Sequence, residues 1–83
     1  MEKSTKYFNT SIGLILRLLR VERQWSQENV ADQIGMSLPG YSKIERNITD
    51  VSLHRLCQLA ALYKIKVSAL IALCEKNNYL KRF

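Results

Sequence analysis

Ser26 to Glu45 reads SQENVADQIGMSLPGYSKIE, and this stretch decides how the chain folds. Apolar residues recur at three- and four-residue intervals on both sides of Gly35, with Val30, Ala31 and Ile34 before it and Tyr41 and Ile44 after it. That spacing predicts two short amphipathic helices. Gly35 predicts a tight turn between them, because glycine takes the left-handed conformation at little cost. Ser26 and Ser37 each stand just before a helical segment, where a hydroxyl caps the unpaired N–H groups of the first turn. Pro39 falls in the first turn of the second segment, where its missing donor costs least. Two helices crossing steeply over such a turn need a small residue where they touch, and Ala31 supplies it. Val30, Ile34, Met36, Tyr41 and Ile44 are the apolar positions that lock the crossing.

Working outward, the same periodicity predicts an all-α domain of five helices. A first helix is expected from Ser11 to about Arg23, with Ile12, Ile15, Leu16 and Leu19 on one face and good helix formers between them. The second runs from Ser26 to Gly35 and the third from Leu38 to about Arg46. Asn47 to Val51 reads as a polar loop. Ser52 is positioned to cap a fourth helix ending near Lys64, with Leu53, Leu56, Cys57, Ala60 and Tyr63 expected to face inward. A fifth helix starts between Lys66 and Ser68 and carries Val67, Leu70, Ile71 and Cys74. The expected organisation is one domain over residues 1–83, with a polar arm at 1–9, a helical core at 11–74 and a basic tail at 75–83.

Composition narrows the function. Thirteen Lys and Arg against seven Asp and Glu leave a net charge of +6 on 83 residues, a field suited to phosphate backbones or another anionic surface. A chain this short buries roughly 60–65% of its unfolded surface, which leaves little room for a cleft with its own catalytic shell. The one conceivable acid–base set, His54 with Asp50 or Glu45, has no nucleophile at a meaningful spacing, so an enzyme is not expected. Cys57 and Cys74 sit among apolar neighbours at helical spacing and read as buried free thiols. With His54 the only other soft ligand, no metal set and no cofactor site is expected. No stretch approaches the roughly 18 apolar residues of a membrane span. Met1 to Tyr7 carries Lys3 and Lys6 but leads into an apolar run broken by Arg17, so the expected compartment is the cytoplasm.

Several pieces of the chain together resemble one family. They are Ile12–Gly13, Leu16 to Arg20, SQENVA at Ser26–Ala31, IGMS at Ile34–Ser37, YSKIERN at Tyr41–Asn47, and the Leu56, Leu59, Ala60 spacing. From Ile12 to Ile71 the chain is similar to the Cro/CI-type (XRE-like) helix-turn-helix proteins, a group of phage repressors, antitoxins and restriction–modification controllers. The resemblance implies a lambda-repressor-like, five-helix domain that binds double-stranded operator DNA as a homodimer and regulates transcription. It places helix three in the major groove and helix two over the backbone. Gln27 matches a phosphate-contacting position at the start of helix two, and Asn47 a second phosphate-contact region. Lys43 and Arg46 are the candidates for contacts reaching the groove or its edge, with Ser42 beside them. Tyr41 matches an interior position. Glu45 matches an acid buried against an arginine of helix one, here Arg17 or Arg20.

The departures from the family are informative. The first positions of the reading helix usually carry Gln, Asn, Arg or Ser; this chain has Leu38, Pro39 and Gly40. Leu38 can touch a thymine methyl and Gly40 permits close backbone approach, but neither makes a bidentate pair with a base. Discrimination would then rest on Lys43, Ser42, apolar contacts and DNA deformation. Gln24 stands where the family often has Gly. Lys66 replaces the usual Ser or Thr cap of helix five, a role left to Ser68. Leu14, Leu18 and Val21 make a second apolar face on helix one. Its expected cover is Tyr7 and Phe8 from the arm, Tyr79, Leu80 and Phe83 from the tail, or another subunit. That face also suggests the alternative of an antitoxin-like or adaptor protein whose body mainly binds a protein partner. Surface association with a membrane is not expected.

Overall fold

Three serines start three of the five helices. The computed structural model describes the backbone of residues 2–81 and the side chains of residues 12–76, and orders the helices as α1 (Glu2–Glu22), α2 (Gln27–Gln33), α3 (Leu38–Glu45), α4 (Leu53–Leu62) and α5 (Val67–Lys81). Ser26 accepts the Asn29 N–H at 3.0 Å, Ser37 that of Gly40 at 3.1 Å, and Ser52 that of Arg55 at 3.1 Å. At Ser26 the cap is reciprocal, since Asn29 Oδ1 accepts the Ser26 N–H at 3.3 Å. Each such cap contributes about 1 kcal/mol.

The first four helices end alike. After α1, the Trp25 N–H bonds to the Arg20 carbonyl at 3.1 Å and the Gln24 N–H to the Val21 carbonyl at 2.9 Å. This pair of bonds is a Schellman ending, which requires a left-handed residue just past the helix. The pattern repeats after α2 with Met36 and Gly35, after α3 with Ile48 and Asn47, and after α4 with Ile65 and Lys64. The left-handed residues are accordingly Gln24 (φ 59°), Gly35 (69°), Asn47 (62°) and Lys64 (57°). Only one of the four is glycine. At Gln24 the helix ends cleanly in spite of the missing glycine, with the backbone held in a conformation that residues other than glycine disfavour.

Two expectations about helix bounds change. α1 begins at Glu2 and absorbs the expected arm, and α5 runs to Lys81 through most of the expected tail. No proline or glycine precedes Gly13 or follows Val67, and extending an existing helix costs far less than nucleating one. At the start of α5 the Lys66 carbonyl accepts the Leu70 N–H at 3.0 Å, which leaves Ser68 inside the helix, not at its cap.

The core joins all five helices: Ile12, Ile15 and Leu16 from α1, Val30 and Ala31 with Ile34 from α2, Tyr41 and Ile44 from α3, Leu56, Leu59 and Ala60 with Tyr63 from α4, and Leu70 and Cys74 from α5. α1 packs on α5 and α3, α2 on α3, and α4 on α5. Gly13 permits the α1–α3 approach, because a Cβ there would fall on Asn47 Oδ1 and lie 2.7 Å from the Glu45 carbonyl oxygen. In α4 the buried arc is centred on Leu56, Leu59 and Tyr63. Leu53 and Cys57 lie past its edge and are exposed, which corrects the expected inward face and the expected buried thiol at Cys57. Cys74 is buried, and burial pushes its thiol up to about 11. Among the described residues, no single helix is long and apolar enough to cross a membrane.

Candidate nucleic-acid interface

The α2–turn–α3 unit is held to the rest of the domain by arginines from neighbouring helices. Arg55 on α4 donates to the Ile34 carbonyl at the end of α2 (2.6 Å) and to Gln58 Oε1 (2.9 Å), which fixes the turn from below. Arg20 on α1 donates through Nε to Glu45 Oε2 at 2.8 Å and through Nη2 to Glu45 Oε1 at 3.1 Å, while Nη1 reaches the Trp25 carbonyl at 2.9 Å. Gln27 Nε2 donates to Glu45 Oε1 at 3.0 Å. One buried carboxylate therefore ties the starts of α2 and the end of α3 to α1. Burial opposes ionisation of Glu45, but hydrogen bonds from its neighbours outweigh it and hold the carboxyl below its usual range. The bond to Glu45 likewise holds the Arg20 guanidinium more firmly protonated.

Of the two arginines left open by the sequence, Arg20 is the partner and Arg17 is exposed. Gly13 and Arg20 are seven residues apart, so they differ by only about 20° around the helix. The face that admits α3 at Gly13 is the face that carries Arg20.

A further arginine contact has little signal in the sequence. Arg23 Nη2 donates to the Tyr63 carbonyl at 3.3 Å, and its guanidinium lies 4.9 Å from the centre of the Tyr63 ring. Trp25 stacks on Tyr63 with ring centres 5.5 Å apart and planes 24° off parallel. Arg23 thus closes the end of α1 on the end of α4, where a cation meets the negative pole of the helix. Its only signals in the sequence are one aromatic just after α1 and another just after α4. Neither identifies its partner.

On α3 the two sides differ sharply. Tyr41, Ile44 and Glu45 are buried. At roughly 100° per residue, Leu38, Ser42, Arg46, Pro39 and Lys43 fall within an arc of about 140° on the other side. Of these Leu38, Pro39, Lys43 and Arg46 are exposed and Ser42 is half-buried. Gly40 is half-buried and lies about 60° past the arc, its N–H committed to Ser37. Asn47 is exposed just past the helix. Seven of the eight candidate residues are therefore brought together on α3 and its C-terminal turn. Gln27 differs: it stands at the start of α2, half-buried, with its amide nitrogen engaged by Glu45 and one N–H to spare.

The Tyr41 and Tyr63 hydroxyls are buried beside this network without a completed hydrogen bond. Burial raises both phenols above their ordinary range, so both stay neutral. Tyr41 is a packing residue, as its interior position implies. His54 is exposed in the first turn of α4. Among the described residues no group of three or more His, Cys, Asp or Glu is gathered for a metal.

On the back of α1, Leu18 and Val21 are each 55% exposed and Leu14 is half-buried. The side chains expected to cover them, Tyr7, Phe8, Tyr79, Leu80 and Phe83, lie outside the described residues.

A family model described as helix-turn-helix matches residues 16–70, well over half of the chain. Neither the curated proteins nor the solved structures provide a match.

Proposed function

Because the chain belongs to the helix-turn-helix family, an architecture that binds DNA, we propose that it is a Cro/CI-type transcriptional regulator recognising operator DNA in the cytoplasm. The observation that carries this reading is the outer arc of α3, where Lys43 and Arg46 stand beside an uncharged first turn on a helix whose other side is wholly packed. α3 enters the major groove and α2 crosses the backbone. Lys43 reaches base edges, Arg46 and Asn47 engage the flanking phosphates, and the spare N–H of Gln27 meets a phosphate at the start of α2. The protein acts by occupancy, not by catalysis, and needs no metal or cofactor. It binds as a homodimer on a two-fold site, the exposed Leu18 and Val21 providing apolar surface for a second copy.

A titration of random duplexes at two salt concentrations, with sequencing of the bound fraction, tests this. The expected result is enrichment of a palindromic site and a steep salt slope of roughly 0.9 per phosphate neutralised. Absence of binding at low salt overturns it. The exposed face of α1 favours one other reading, an antitoxin-like or adaptor protein whose body mainly engages another protein; a stable heteromeric complex with weak DNA affinity would establish that instead.

A further inference from the structure

The first turn of α3 offers DNA a methyl-sized apolar surface and no committed hydrogen-bonding code. Leu38 is 42% exposed at the first helical position. Next comes Pro39, without an N–H, and then Gly40, without a side chain. The Ser37 hydroxyl is already accepting the Gly40 N–H at 3.1 Å. Four residues on, and therefore one turn above Leu38 on the same face, stands the half-buried Ser42. A hydroxyl donates as readily as it accepts.

From this we infer that α3 recognises a 5-methylpyrimidine, reading the methyl group through Leu38 and remaining indifferent to the group at position 4 of the ring. In the major groove thymine shows its 5-methyl beside an O4 acceptor, while cytosine shows an N4 donor and no methyl. Leu38 distinguishes methyl from hydrogen. Ser42 donates to O4 of thymine or accepts from N4 of 5-methylcytosine, and so does not separate the two. The predicted order at this position is thymine about equal to 5-methylcytosine, with uracil and unmodified cytosine weaker. The inference rests on the DNA-binding reading and adds to it a specificity for the ring's 5-methyl group.

The enriched duplex from the titration above is prepared with each T·A pair of the half-site replaced in turn by U·A and by 5-methylC·G. Affinities are measured by fluorescence anisotropy with the full chain and with Leu38→Ala. At one position per half-site, uracil is expected to weaken binding roughly fourfold, about the worth of one buried methyl, with 5-methylcytosine restoring it. Leu38→Ala should abolish the thymine-to-uracil difference while keeping its helical circular dichroism and its salt slope. Equal affinity for thymine and uracil at every position overturns the methyl reading and leaves the regulator standing. A uracil loss that 5-methylcytosine does not restore overturns the indifference at position 4, and with it the proposal as stated. No binding to any duplex overturns both.

Discussion

Arg20 and Glu45, 25 residues apart, form a two-pronged ion pair in which the carboxylate side chain is 2% exposed and the guanidinium 13%. Three helices meet at it, because Gln27 from α2 adds a third bond to the same carboxylate that closes α3. The pair ties the end of α3, and through Gln27 the start of α2, to α1. Removing one partner strands a buried charge, whereas removing both does not. Arg20→Met should therefore destabilise the domain by about 3–5 kcal/mol in urea unfolding. Arg17→Met, on the exposed side of α1, should stay within about 0.5 kcal/mol of the parent. The double variant Arg20→Met/Glu45→Leu should recover much of the loss; no recovery would show that the two residues act separately.

The same carboxylate sets an acid limit. Its pKa is lowered in the folded state from an ordinary 4.5, so the folded chain holds the ionised form more tightly than the unfolded chain does. The stabilisation is complete above the unfolded value and is lost as the pH falls through the folded one. Thermal unfolding followed from pH 7 down to about pH 3 should show a fall that begins near the ordinary carboxyl range. Glu45→Gln, which cannot ionise, should be less stable at pH 7 and should show a shallower fall in acid. An unchanged acid slope would remove Glu45 from the account.

Gln24 and Lys64 adopt φ values of 59° and 57°, conformations that glycine reaches more cheaply. Glycine also adds freedom to the unfolded chain, which offsets part of the gain. Gln24→Gly and Lys64→Gly should each stabilise by about 0.5–1 kcal/mol, raising Tm by a few degrees in calorimetry. Gly35→Ala should move Tm the other way, although nothing lies within 4 Å of the added Cβ. The cost there is conformational, not steric.

Tyr63 carries a buried hydroxyl without a completed hydrogen bond. Tyr63→Phe removes a buried hydroxyl that completes no hydrogen bond and keeps the ring stacked on Trp25. Its effect on stability should be neutral or favourable, within about 1 kcal/mol. A loss larger than that in urea unfolding would mean that the hydroxyl has a partner.

Lys43 and Gln27 should behave differently on DNA. Lys43→Ala leaves the core intact and should change which sequences are enriched. Gln27→Ala should weaken all duplexes about equally and also lower Tm, because it removes one of the bonds that hold Glu45. Uniform loss for Lys43→Ala would make it a phosphate contact, with a salt slope reduced by about one counterion.

The parts of the fold that were legible beforehand share a short range. A serine and the N–H three residues on, a glycine and the two carbonyls behind it, or a stripe repeating every three to four residues all lie within one or two turns. The caps at Ser26, Ser37 and Ser52 and the turn at Gly35 are therefore readable along the chain. The Schellman endings at Gln24 and Lys64 are equally local in geometry, but they were hidden because the residues present are not the ones that prefer it. The bounds of α1 and α5 are not readable along the chain for another reason. A polar run beside a periodic one carries no stop signal, and helix propagation carried both through.

The sequence by itself determined five helical segments, the serine caps of α2, α3 and α4, a glycine turn after the second, and a net positive charge. Tertiary structure alone decided that Arg20 and not Arg17 meets Glu45, that Gln27 is drawn to the same carboxylate, that Arg23 locks onto Tyr63, and that Leu53 and Cys57 face outward. Periodicity specifies a stripe only to within an arc of the helix, and the direction in which that arc is turned depends on which neighbour arrives against it. Here the bare backbone at Gly13 admits α3, and Arg20, on the same face of α1, meets Glu45.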